Sequence, residues 1–392
     1  MWTINGREVV VLGDKTTHGG EVVTACSGML YNGIPVARVG DEVSCPKCSG
    51  THKIVTGSPI HSINGKQTAR NLDSVSCGAL LISRNGDAAN VDEGEYAMKN
   101  LAEFLGASLT YKDKILLCIP DIADAMATRT DKSVEAQGWL YLRRMMIKWL
   151  TTPVNRNAKT DDNPFWVDWN WVIELPGAPA SPFGEDPVFE PYPSVKEEYT
   201  AFTSRTPMDS KQNIYDTAAL NQLGKILKRN NAFGSERIYF DYIRESANES
   251  VPPGTIRKSW KDLEDRYFTL RKVPQTWEVD ARQAVFGSFT LRALAGGYTE
   301  PNGNGKGHIV HITECAVFAH DIYGFANDGW QILGFWDCDK KEVTNTKGWP
   351  AHLLENRNFR DYQDRHGLGG DYLVLSQPGI VEGFTGMEYE YE

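Results

Sequence analysis

Seven cysteines and eight histidines are spread over 392 residues, and four of them stand where an internal repeat puts them. Asn5-Gly6, Asn32-Gly33 and Asn64-Gly65 are each followed, 12 residues after the glycine, by His18, Cys45 and Cys77 respectively. Residues of these types bind zinc through imidazole nitrogen or thiolate sulfur, and three converging ligands leave a tetrahedral ion one short. The repeat interval suggests the fourth: units one and two are 27 residues apart, units two and three 32. The additional five fall in the stretch holding Cys48 and His52. Cys48, in Cys45-Pro46-Lys47-Cys48, has the C-x2-C spacing by which a tight turn offers two sulfurs, and His52 is the reserve. A filled four-ligand site keeps no position open for water, so the expected role of the Zn2+ is structural. A buried thiol or a surface histidine is the ordinary reading of such a residue taken singly. Placement by a repeat favours the metal.

The elements that must position these ligands follow from the same repeat. Between turn and ligand run REVVVLGDKTTH, IPVARVGDEVSC and KQTARNLDSVSC, with Asp14, Asp41 and Asp73 at one equivalent position. Asn-Gly is a strong hairpin signal because both residues tolerate positive φ. Units this small cannot bury a core alone, so three must pack about a common axis into a compact, pseudo-threefold β structure.

GDKTTHGG, PVARVGDEVSCPKC, IVTGSP, ING and SCGALLIS, from about residue 9 to 84, resemble the PAAR-repeat family, which caps the spike of the bacterial type VI secretion machine. The resemblance implies a small β cone with its broad base on the trimeric VgrG spike and its zinc near the sharp tip. Val43 stands where histidine-rich members have a histidine two before the first cysteine, and Cys48 where many have the histidine of a CPxHG motif.

Beyond the cone the expected division is a helical segment over 91–150 and an α+β domain over 151–392, helices first and a mostly antiparallel sheet after. Glu93–Leu109 and Ser133–Leu150 carry apolar residues at helical spacing, and Asp216–Asn230 reads as a third helix. FWVDWNWVIE alternates as a half-buried strand would, with Phe165, Val167, Trp169 and Trp171 on one face. RIYFDYI, AVFGSFTLRALAGGY, HIVHITECAVFAHDIYGF, QILGFWDC, DYLVLS and TGMEYEYE read as strands, and Gly303–Gly307 as a hairpin loop. No run of about 18 apolar residues suggests a transmembrane segment, and Met1–Arg7 lacks the features of a signal peptide. The expectation is a protein of the bacterial cytoplasm until it is fired into a target cell.

Charge is unevenly divided. Residues 1–90 hold 8 Lys and Arg against 7 Asp and Glu, leaving 33 against 44 for the remainder of a chain of net charge −10. An acidic cargo disfavours nucleic acid as its target, because phosphate binders present excess Lys and Arg. G-x-S-x-G, H-E-x-x-H and G-x(4)-G-K-[ST] are absent. His308 and His311 fall on opposite strand faces and are discounted as ligands together with Glu314. The odd cysteine total fits metal binding better than a disulfide framework, with Cys118, Cys315 and Cys338 unassigned.

Two clusters offer acid–base chemistry. His320-Asp321-Ile322-Tyr323 ends a predicted strand, where Asp321 and Tyr323 would face solvent. In the glycine-rich loop expected at 364–371, His366 would act as general base or acid, Arg365 would stabilise developing negative charge, and Asp371 completes the set. A solvated turn with local ion pairs is the bland reading of each. Asp321-Ile322-Tyr323-Gly324-Phe325 also resembles the D-x-Y-D-F stretch of colicin M-type enzymes, which cleave the lipid-linked peptidoglycan precursor. Gly324 replaces an aspartate of that pattern, and no His-Arg pair follows at the expected short distance.

The C-terminal half, through ARQAVFGSFTLRALAGGYTE, HDIYGF and NFRDYQDRHGLGGDYLVLS, resembles an uncharacterised family of domains found after PAAR modules. What these resemblances imply is a spike tip delivering a fused antibacterial toxin, of hydrolase type with an envelope substrate favoured. A cognate immunity protein and a chaperone are the partners expected beside VgrG. The alternative is a non-enzymatic adaptor that recruits a separate effector.

Overall fold

The computed structural model describes residues 1–48, 50–86, 92–130, 134–158, 164–176, 193–243, 256–257, 263–274, 280–325, 332–344 and 352–392. Helices among them are α1 (Glu93–Leu105), α2 (Tyr111–Arg129), α3 (Val134–Thr151), α4 (Trp169–Ile173), α5 (Val195–Thr203), α6 (Thr217–Arg229), α7 (Leu263–Arg266), α8 (Ala281–Val285) and α9 (Asn356–His366). The chain divides into two compact units, Met1–Asn163 with Ile322–Leu373, and Pro164–Asp321 with Val374–Glu392. No described helix is long and apolar enough to cross a membrane.

The described residues among the first 86 form strands and turns, in short two-stranded pieces. Each Asn-Gly pair has both φ angles positive, at 49° and 72°, 49° and 79°, and 51° and 76°, the geometry of a type I′ hairpin. The three units then close on one another. Val10 N–H donates to the Ala69 carbonyl, Ala69 to Ala37, and Ala37 to Val10, at 3.0, 2.9 and 2.9 Å. All three residues are fully buried, so no unit could satisfy these backbone groups alone. Asp14, Asp41 and Asp73 each accept from the backbone N–H three residues earlier, at 2.9, 2.8 and 2.7 Å. The equivalence read from the sequence is thus an equivalence of hydrogen bonding.

Two cores lie inside this β structure. Ile4, Val9, Val11, Cys26, Val36 and Ile63 cluster next to the Asn-Gly turns. Val10, Val22, Ala37, Val43, Ile54, Ala69, Val75, Ala79 and Leu81 form the other, with Cys77 against it.

The helices of the first unit begin at Asp92, whose side chain caps α1 by accepting from Glu95 N–H at 2.9 Å. Apolar periodicity assigns no element to 111–129, yet α2 occupies it with Pro120 inside. Its start is a capping box between Thr110 and Asp113, and Ile115, Leu116, Ile119, Ile122 and Ala123 bury one face; packing of that face outweighs the lost N–H of the proline. Trp139 and Trp149 of α3 are buried as core.

The second unit rests on a mixed sheet of nine strands among the described residues. Its spine is the antiparallel pair Phe289–Pro301 and His308–Tyr323, with a register shift at Gly296/Gly297. A Cβ at Gly297 would lie 1.9 Å from the His311 carbonyl oxygen, so the bulge requires glycine. Met387–Tyr391 adds antiparallel to the second of these strands, whereas Phe165–Val167 lies parallel to Tyr372–Ser376 over the register Phe165 to Val374. The sequence pattern predicts one strand through Trp171, but the structure ends it at Val167. Asp168 caps α4 there, accepting from Asn170 N–H at 2.9 Å, and Trp171 and Val172 become the buried face of a helix.

Candidate metal centre

His18 lies in the turn after the strand Lys15–Thr16, Cys45 at the end of the strand Glu42–Ser44, and Cys77 in the turn between Val75 and Ala79. Gly20 permits the first two to meet, since a Cβ there would sit 1.7 Å from the Ser44 carbonyl oxygen. Cys48 enters through the tight turn, where its N–H donates to the Cys45 Sγ at 3.3 Å.

His18, Cys45, Cys48 and Cys77 offer four ligand atoms that all lie within 4.8 Å of one another, and His52 is outside the group. The sulfurs of Cys45, Cys48 and Cys77 lie 3.5, 3.5 and 3.9 Å from His18 Nδ1. Around a tetrahedral ion with ordinary Zn–S and Zn–N bonds, nitrogen and sulfur stand about 3.6 Å apart. Donor types and spacing therefore fit a bound metal, held by Nδ1 and three Sγ atoms with every position filled. Its contribution would be to cross-link all three repeat units at one point.

Without an ion the four groups share their protons unevenly. The Cys48 sulfur, together with the Glu93 carboxylate, holds the His18 imidazole up at about 10. Hydrogen bonds from Cys77 and then His18 pull Cys48 down to about 4, while Cys77 is pushed up by Cys48 and by burial. Cys48 is the ready thiolate, the form that coordinates, and an ion entering the site must displace the protons that His18 and Cys77 hold.

His18 has a further contact that the repeat does not contain. Its Nε2 lies 3.1 Å from the Glu93 carboxylate, at the first residue of α1, and the imidazole is 5 % exposed. Two turns further along the helix, Asn100 accepts from Arg7 at 2.9 Å and donates to Ser74 at 3.2 Å, and Glu103 meets Arg70 at 3.0 Å. The only signal for these residues in the sequence is their position just past the repeat.

The acid–base residues expected further along fall in both units. Asp321 belongs to the second unit and is half-buried. In the first, Tyr323 is buried with its hydroxyl 2.9 Å from Met146 Sδ. Arg365 and His366 are brought together on one carboxylate, that of Asp113, at 2.6 and 3.1 Å. They do so from the last turn of α9, a helix where a glycine-rich loop is expected; the glycines begin only at its left-handed cap, Gly367. Asp371 is buried beside Trp149 Nε1 and Gln363 Nε2, each at 3.3 Å, and Arg360 at 3.5 Å. His308 bonds the Gly234 carbonyl, and His311 pairs with Glu300 and Glu388.

Residues 12–83 match the family model of the PAAR motif, and residues 191–348 match that of a family of unknown function (DUF6402). The chain thus carries a PAAR motif and, after it, a region that matches a family of unknown function. A search of curated proteins found no significant match. The PAAR match covers all four ligands, and Glu93 and α1 stand outside it. It supports a place at the tip of a type VI secretion spike.

Proposed function

We propose that this protein caps the trimeric VgrG spike with a zinc-bound PAAR cone and carries the remainder of its chain as an antibacterial cargo. The observation that carries the reading is the closed ring of hydrogen bonds among Val10, Ala37 and Ala69. A pseudo-threefold module is what a threefold spike end can accept on three equivalent faces. Met29, Leu30 and Ile60 are exposed beside the core next to the Asn-Gly turns, at 38 %, 54 % and 70 %, and supply apolar contact for such a base.

For the cargo, the acidic balance favours a substrate other than nucleic acid, and an envelope substrate reached after delivery fits the route. Asp321, Tyr323, Arg365, His366 and Asp371 are its candidate catalytic residues, with an immunity protein and a chaperone as further partners. The adaptor reading draws on one observation: Tyr323, His366 and Asp371 are each buried in contacts that stabilise the first unit.

Two experiments test this. Purified VgrG trimer and the full chain should form a complex that loses affinity when Leu30 and Ile60 become aspartate; an unchanged complex removes the proposed base. For the cargo, the full chain is expressed in the cytosol and, with an export signal, in the periplasm. Killing from the periplasm alone that Asp321→Ala abolishes supports the envelope toxin, and growth unaffected in both places supports the adaptor. The whole chain is used because a cut at residue 90 would strip α1 from Arg7, Arg70 and His18.

A further inference from the structure

We infer that Glu93 is a positioning residue for the metal ligand His18, and that metal occupancy and the seating of α1 on the cone are one coupled equilibrium. This rests on the metal reading of the four-ligand cluster. His18 presents Nδ1 to three sulfurs at 3.5 to 3.9 Å. The proton of a neutral ring coordinating through that nitrogen must sit on Nε2. Nε2 is the atom that meets the Glu93 carboxylate at 3.1 Å. A carboxylate accepting from the far nitrogen selects the tautomer, fixes the ring plane and raises the basicity of the ligating nitrogen.

Glu93 is delivered by the helix, not by the repeat. It is the first residue of α1, directly after the capping residue Asp92, where a negative charge also complements the helix dipole. The same helix is held on the cone at two more levels. Asn100 is 2 % exposed and bonds the Leu72 carbonyl and Ser74, while Glu103 closes on Arg70 and Arg7. Ala97 and Leu101 bury the face between them. Glu93, Asn100 and Glu103 therefore form one line of contacts, with the metal ligand at its start. An ion that orders His18 strengthens the Glu93 contact, and by linkage a seated α1 strengthens metal binding by the same factor. The first helix of the extension would thus be locked to the tip by the ion that closes the cone.

The test uses the full chain with Glu93→Gln, Glu93→Asp and Glu93→Ala variants. Zinc affinity is measured by competition with a chromophoric chelator, cobalt substitution reports ligand geometry, and hydrogen exchange follows the amides of 93–105 with and without metal. Loss of an outer partner of a metal-ligating histidine commonly weakens binding about 10–100-fold, and Glu93→Ala should fall in that range with a shifted cobalt absorption band. Glu93→Gln, whose amide oxygen still accepts from Nε2–H, should recover part of the loss while preserving the fold. Chelation of the wild-type chain should accelerate exchange in α1. Affinity of Glu93→Ala and Glu93→Gln within twofold of wild type, or α1 exchange indifferent to chelation of a metal-loaded chain, would overturn the inference and leave the metal site standing. A wild-type chain that takes up no zinc and no cobalt would instead overturn the metal reading itself, and this inference with it.

Discussion

Asp113 and His366 are 253 residues apart in the chain and 3.1 Å apart in space. Asp113 also closes the capping box of α2 with Thr110 and receives Arg365 at 2.6 Å. One fully buried carboxylate thus starts one helix and ends another, because the C-terminal turn of α9 brings the side chains of Arg365 and His366 to it. Residues whose types suggest acid–base chemistry thereby also tie two helices together.

That carboxylate makes the first unit acid-sensitive. Burial acts to raise the pKa of Asp113, but hydrogen bonds from Thr110, His366 and Arg365 outweigh it and hold the value below the ordinary one. A depressed folded value contributes stability above the unfolded value of about 3.9, and the contribution is lost as pH falls through the folded value. Denaturant midpoints should fall below about pH 4, and Asp113→Asn should flatten that part of the profile. Asp113→Ala should cost about 1–3 kcal/mol, because it leaves the Thr110 cap and the buried His366 ring without their acceptor. An acid branch identical in wild type and Asp113→Asn would show that the stability resides elsewhere.

Metal removal should open the tip. Purified full chain is expected to carry one zinc, and the Cys45→Ala/Cys77→Ala double variant none, by elemental analysis. Chelation should lower the thermal midpoint, since a bound ion stabilises only the folded site. His52→Ala, outside the ligand group, should keep its metal.

The repeat itself contains one strained position. Where the first two units have Gly13 and Gly40 at φ 83° and 88°, the third has Leu72 at φ 62°. An L-residue in the left-handed region costs about 1–2 kcal/mol. Leu72→Gly, set against the partial burial it removes, should leave the chain as stable or up to about 1 kcal/mol more stable in denaturant titrations. A loss beyond 1 kcal/mol would mean that the leucine side chain matters more than its backbone.

Thiol counting distinguishes the cysteines. Cys118 of α2 and Cys338 are joined in a disulfide with Cα atoms 5.7 Å apart, and five cysteines are free. Oxidised, metal-free, denatured protein should therefore titrate five thiols of the seven in the sequence. Cys118→Ser should destabilise the first unit by about 2–4 kcal/mol under oxidising conditions, and by far less once wild type is reduced. Seven titratable thiols in the oxidised chain would contradict the bridge.

How much was legible depends on the range of the interaction. The cone's organisation is local and repeated: Asn-Gly turns, Asp14, Asp41 and Asp73, and a ligand at a constant interval are each set by backbone conformations within a dozen residues, so their spacing in sequence survives as spacing in space. The helix Thr217–Arg229 and the long strands were legible for the same reason, through periodicity. Tertiary structure alone decided the rest. Alternation in Phe165–Trp171 cannot tell a strand from a strand followed by a capped helix, and the buried side chains around Trp171 settle it. A proline at 120 reads as a break until a packed face outweighs it. Nothing near residue 366 names Asp113 as its partner, nothing near 118 names Cys338, and nothing in the repeat names Glu93. Such contacts form between segments whose local propensities are independent, and only the packing of the folded chain chooses among the partners.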